Sequence, residues 1–470
     1  MDACTLVPLL DGEGPLYSQL YRWLAGAIRA GDISPGQRLP SKRRLCQLLG
    51  MSMSTVESAY SLLVAEGYVV SRPRSGFVSA PILPMDGTFP PAFPSTPEES
   101  APSDASLWRW QFSTGAVDTS VFPFSSWARL TKEAVYEHPD LLQRGHSQGD
   151  LPLRESLCSL LAQYRGVRCH PDQLLVGAGV DYLLSILLQL LPEHDTVGLE
   201  DPGYPAAYDT VRHLGRRAVS LPLDEEGLIP EALEASGVGL AYVTPSHQFP
   251  MGMTMPIGRR SRLLRWAGER VGRYLIEDDY DSEFRYTSRP IPALQGLDTG
   301  GRVIYLGTFS RSIAPSIRIA YLILPPSLLT RYRQMFPRSA CTVSRFEQET
   351  LRRLLDSGLY GRHLRRAGNL YRKKCFLLTQ ALSSIPHAHL SGHGAGLHFL
   401  LTVSSYSEEE LVARAHAHGI RVHALSQYCH TVAPIPSTLV IGYAGLTLEE
   451  IPQAAAALCL ACSIHVSDHP

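Results

Sequence analysis

Apolar residues return at helical spacing near the start of the chain. In GPLYSQLYRWLAGAIRAGDI, Leu16, Leu20, Leu24 and Ile28 stand four apart, which predicts one helix ended by Gly31. LPSKRRLCQLLG predicts a second, with Ser41 as its N-cap and Gly50 as its terminator. MSMSTVESAYSLLVAEG predicts a third that buries Val56, Ala59 or Tyr60, and Leu63, and stops at Gly67. YVVSRPRSGFVSA then reads as two strand-like runs around a turn of Arg72, Pro73, Arg74, Ser75 and Gly76.

From Ser79 to Trp108 the periodicity lapses into SAPILPMDGTFPPAFPSTPEESAPSDASLW, rich in proline, serine and acids. Such a composition predicts a semi-extended linker. Beyond it the pattern changes again. Apolar runs (LLVGAG, TVGLED, GLAYVTPSH, RYLIEDDY, RVIYLG, IAYLILP) alternate with helical stretches, the signature of an α/β fold with an open, mainly parallel sheet. Three segments follow: 1–78, a small helical domain with a two-stranded wing; 79–108, the linker; and 109–470, a large α/β domain. Ligands of such sheets bind at the carboxyl ends of the strands, and here several runs end in polar clusters: EDPGYP, TPSHQFPMG, EDDYDSEFRY and GTFSRS.

Composition sharpens this picture. An apolar share of 44% over 470 residues supports folded domains and excludes a disordered chain. The net charge of −1 confines any nucleic-acid contact to a local patch. That patch is in the first domain: between residues 11 and 80, eight Lys/Arg face five Asp/Glu, with the excess gathered at the second helix and the turn of the wing. The longest apolar stretch, YLLSILLQLL, is too short to span a membrane, and MDACTLVPLL lacks the basic start of a secretion signal. Nine cysteines without regular spacing predict a reducing, cytoplasmic setting. CLAC, Cys459 to Cys462, has no second CxxC to complete a zinc site and reads as packed thiols; no metal site is expected.

Helix, helix, helix and basic wing make a winged helix-turn-helix, and residues 15 to 78 resemble the DNA-binding domain of the GntR family almost throughout. The resemblance implies a double-stranded DNA operator faced by Ser41, Arg43, Ser54, Thr55, Ser58, Tyr60, Arg72, Arg74 and Gly76. One departure is Met53, where the family usually has an arginine at the start of its recognition helix.

VFPFSSW, GDLPLRESL, EDPGYP, YVTPSHQFPMG, IEDDYDSEFRY, GAGLHF and GIRVHALSQY, in that order, resemble fold-type I aminotransferases, the transferases dependent on pyridoxal phosphate (PLP). With the first domain they resemble the MocR-type subgroup of GntR regulators. The resemblance places Asp278 on the ring nitrogen of a pyridine ligand, Tyr280 on its 3-oxygen, Tyr204 over its face, and Ser310 with Arg318 on its phosphate. Three positions depart. Arg311 stands in YLGTFSRSIAPSIRIAYLILP where the Schiff-base lysine belongs; Arg144 opens RGHSQG where a tyrosine normally reaches the partner subunit's phosphate; Val440 replaces the arginine that grips a substrate carboxylate. A guanidinium stays protonated and neither attacks an aldehyde nor shuttles protons. The expectation is therefore a homodimeric transcriptional regulator, not an enzyme. Its cationic pocket, formed by Arg311, Arg318 and Arg144, takes a small anionic effector, with PLP held without a covalent bond, another phosphorylated metabolite and a carboxylate all open, as is a pocket closed by an Arg311–Asp278 pair. The alternative is an active PLP-dependent aminotransferase carrying a DNA-binding appendage.

Overall fold

The computed structural model describes residues 14–72, 76–81, 108–286, 291–431, 433 and 435–463. They divide into two compact units, with the division falling inside the stretch 82–107.

The first unit contains helices Leu16–Ala30, Lys42–Leu49 and Met53–Ala65, followed by antiparallel strands Val69–Arg72 and Gly76–Ser79. Each helix stops or starts where local chemistry directs. Gly31 and Gly50 adopt the left-handed backbone that most side chains avoid, while the hydroxyls of Ser41 and Ser52 accept from the amides of Arg44 and Thr55. Leu20, Leu24, Ile28, Leu45, Val56, Ala59, Tyr60 and Leu63 share one core. Both Ala59 and Tyr60 are buried, whereas Leu16, in the first turn, remains exposed and does not extend the predicted apolar face.

The second unit is built on an eight-stranded sheet. In spatial order its strands are Leu174–Gly177, Ala320–Ile323, Val303–Thr308, Tyr274–Asp279, Leu240–Val243, Thr196–Asp201, Arg217–Asp224 and Gly227–Leu228. The five from Val303–Thr308 to Arg217–Asp224 run parallel. Ala320–Ile323 is antiparallel to both neighbours, and Gly227–Leu228 is an antiparallel edge. All six predicted strand runs lie in this sheet. Arg217–Asp224 escaped prediction because it is only partly buried and mixes polar with apolar residues. The central strands are buried along their whole length, as expected of a sheet covered on both faces. A second, antiparallel sheet of Ala388–Ser391, His398–Val403, Thr438–Gly442 and His423–Ala424 packs against helices Leu359–Leu382 and Ile451–Cys462. Cys462 is buried in that core and Cys459 is half-buried. Among the described residues no helix is long and apolar enough to cross a membrane.

Candidate functional site

A cavity of about 180 Å³ opens where the parallel strands end. All six residues expected at a ligand line it: Tyr204, Asp278, Tyr280, Ser310, Arg311 and Arg318. Strand alternation selects Asp278 from a run of three acids. Glu277 points to the opposite face and accepts from the amides of Leu294 and Gln295, at 2.7 and 2.8 Å. Asp279 pairs with the buried Arg165, Nε–Oδ2 2.7 Å, and accepts from the Tyr305 hydroxyl. Asp278, between them, faces the cavity.

The tyrosine hydroxyl of Tyr242 donates to Oδ2 of Asp278, while Oδ1 is buried with no hydrogen-bond partner. Burial pushes the Asp278 carboxyl up to about 7, despite the bond from Tyr242. The Tyr280 hydroxyl lies 3.0 Å from His247 Nδ1, which is also 3.0 Å from the Asp281 carboxylate. Facing a carboxylate, which only accepts, that nitrogen is placed to donate, and the Tyr280 hydroxyl lines the cavity. His247, Asp281 and His398 lie close enough to hold a metal ion, and His398 Nε2 is 3.0 Å from the Pro250 carbonyl. Phe249 forms an aromatic wall, packing edge-on against Tyr204, Tyr280 and Tyr428. Val440 lies in the apolar cluster behind that wall.

The cationic side is less one-signed than the sequence suggested. Arg318, itself in a left-handed backbone conformation, donates to the Ala178 carbonyl at 3.2 Å and sits 3.8 Å from Asp181, which also lines the cavity. It uses space left by Gly179, where a Cβ would come within 2.1 Å of its Nη2. Two arginines thus face two aspartates. Arg144 donates instead to the Arg338 carbonyl and does not line its own chain's cavity. Among the described residues no hydrogen bond or ion pair engages the Arg311 side chain, so the Arg311–Asp278 pairing that would close the site is not formed. Tyr242, His247, Asp281 and Asp181 were not singled out in the sequence. Asp281 stands inside the EDDYDSEFRY cluster and His247 inside TPSHQFPMG, but their pairing is a tertiary contact.

In the first unit Ser41, Arg43, Ser54, Ser58 and Arg72 are exposed, and Thr55 and Gly76 are half-buried. Arg74 lies outside the described residues. Tyr60 corrects the sequence reading: it is fully buried, packs edge-on against Phe77 with ring centroids 4.8 Å apart, and donates to the Pro40 carbonyl at 2.8 Å. It holds the fold and does not face DNA.

Residues 16–78 match the GntR family of bacterial regulatory proteins. The HTH-type transcriptional regulator YdeL of Bacillus subtilis is 40% identical over 443 residues, covering 93% of this chain and 94% of its own. The probable rhizopine catabolism regulatory protein MocR of Rhizobium meliloti is 35% identical over 456 residues, covering 93% and 91%. The chain belongs to the MocR-type subgroup of GntR regulators. As a MocR-type protein it is a DNA-binding transcriptional regulator with an aminotransferase-like second unit. That unit shares its fold with a kynurenine aminotransferase of Pyrococcus horikoshii, solved with PMP (TM-score 0.66, 24% identity, covering 75% of this chain and 90% of the other).

A pyridine phosphate fits the residues of this MocR-type cavity in part. The unpartnered Asp278 oxygen suits a ring nitrogen, Tyr280 a ring oxygen, and Ser310 with Arg318 a phosphate. No lysine lines the cavity. The chain has four: Lys42 in the first unit, exposed Lys132 and Lys373, and Lys374, which is buried and locked to Asp118 at 2.5 Å.

Proposed function

We propose that the aminotransferase-like unit senses a small anionic ligand without transaminating it and passes that state, in a cytoplasmic homodimer, to the DNA-binding unit. The proposed division is 1–78 for DNA binding, 79–108 as tether and 109–470 for sensing and dimerisation. The observation that carries this reading is the cavity wall itself: an unpartnered buried carboxylate oxygen on Asp278 opposite Arg311, with no lysine in reach. When PLP is bound through a lysine it supplies an electron sink at the substrate carbon. Arg311 offers charge but no nucleophile. Asp278, Tyr280 and Tyr204 would orient an aromatic ring, and Ser310 with Arg318 would hold its phosphate, so non-covalent PLP, another phosphorylated metabolite and a carboxylate all suit the site. Exposed Arg144, turned away from its own cavity, is consistent with service to a partner subunit. An active aminotransferase with a DNA-binding appendage finds no support in the lining.

Titration with PLP, then borohydride treatment and peptide mass mapping, tests the reading. Wild type should bind PLP reversibly and retain none after dialysis, whereas Arg311→Lys should carry a reduced pyridoxyl adduct on the introduced side chain. An adduct on Lys373 or Lys374 of wild type, or turnover of amino acids, would overturn it.

A further inference from the structure

The chain holds a second chemically competent group, away from the cavity. Helix Leu151–Arg165 carries Cys158, and the segment after it carries Cys169, with the two sulfurs 3.2 Å apart and unbonded. A disulfide needs about 2.05 Å, so closing it asks for roughly 1 Å of movement. Neighbouring contacts hold the second thiol in place. The main chain of Arg168 is clamped from both sides by Gln295, whose side chain accepts from its amide at 3.0 Å and donates to its carbonyl at 2.8 Å. On the other side His170 and Gln173 cap each other. One helical turn before Cys158, Arg154 is fixed by the carbonyls of Gly149 and Pro171. Both cysteines are half-buried, so neither is sealed from solvent.

We propose that Cys158 and Cys169 form a reversible thiol–disulfide site in the effector unit that reacts with hydroperoxides. Cys158 is the attacking sulfur. The bond from Cys169, and then the Arg154 charge, hold its thiol below the ordinary range, whereas Cys169 is raised. The Cys158 thiolate attacks one peroxide oxygen, the O–O bond breaks and water leaves, giving a sulfenic acid. The Cys169 sulfur then attacks the Cys158 sulfur, the S–O bond breaks and a second water leaves. Two thiols and one hydrogen peroxide become one disulfide and two waters, and a thiol reductant reverses the change.

The test treats the reduced full-length protein with equimolar hydrogen peroxide, followed by non-reducing peptide mapping and thiol titration. The expected result is one cross-linked peptide pair containing Cys158 and Cys169, a loss of two titratable thiols, and recovery with dithiothreitol. Cys169→Ser should halt at a Cys158 sulfenic acid that dimedone traps; Cys158→Ser should leave Cys169 unreacted under the same conditions. Circular dichroism confirms that each variant is folded, and the wild-type mapping decides the matter if one is not. Loss of thiols spread over other cysteines, no cross-link at all, or a Cys158→Ser protein that consumes peroxide as fast as wild type would overturn the proposal.

Discussion

Replacing Asp278 by asparagine should change how the stability of the aminotransferase-like unit depends on pH. The buried carboxyl titrates at about 7, against 3.8 for the ordinary group. A folded-state value raised in this way means that the native protein holds the proton more tightly than the unfolded chain. Stability therefore falls as pH rises from about 4 to about 7 and is level above that. Between pH 5 and pH 7 the loss spans about two units at 1.36 kcal/mol each, or about 2.7 kcal/mol. Asp278→Asn does not titrate and still offers Tyr242 an acceptor, so its stability relative to wild type should climb by about 2–3 kcal/mol over that interval. Urea unfolding of ligand-free protein at pH 5, 6, 7 and 8, followed by tryptophan fluorescence, measures this. Glu200 and Glu277, raised by burial to about 7, and Glu283, to about 8, titrate in both proteins, so the difference between the two isolates Asp278. Parallel curves for the two proteins would refute the reasoning, because they would mean that the carboxyl pays no desolvation penalty and that its free oxygen is not buried.

Asp118→Ala should destabilise the second unit by about 3–5 kcal/mol, since it leaves the fully buried Lys374 without its anionic partner, held by the Ala444 carbonyl at 2.9 Å and the Tyr371 ring. Urea midpoints check this, and a loss under about 1 kcal/mol would mean that water reaches the lysine. Arg43→Ala and Arg72→Ala should each weaken binding to duplex DNA and lower the salt slope by about 0.9 per lost phosphate contact, measured by fluorescence anisotropy across a salt series. Tyr60→Phe should leave that slope unchanged while losing about 1 kcal/mol of stability with its bond to Pro40; a changed slope would return Tyr60 to the DNA-facing set.

What the sequence made legible is what local chemistry determines. Helix ends at Gly31, Ser41 and Gly50 and the buried strand runs follow from backbone preference and from continuous apolar stretches, and both were readable. The six cavity residues were reachable through the resemblance to fold-type I aminotransferases, and the converging strand ends of an open α/β sheet are what bring them together. Tyr60 was misplaced because its position on a recognition helix does not reveal which way the ring turns; the Pro40 carbonyl and Phe77 decide that. Asp181 escaped attention because a carboxylate in the first turn of a helix is ordinary, and only the fold brings Arg318 beside it. The Cys158–Cys169 contact depends on Gln295, more than a hundred residues away, gripping the loop, which no spacing rule anticipates.

The run Glu277, Asp278, Asp279 separates what this regulator can vary from what it must keep. Two of these acids brace the scaffold from the side of the strand away from the cavity, and the one between them lines it. An exchange of the middle acid therefore leaves both braces of the strand in place. A single-residue insertion or deletion upstream in the same strand would instead exchange the two faces, turning a bracing acid into the cavity and the cavity-lining one into the scaffold. Substitution at the middle position spares the braces, and slippage does not.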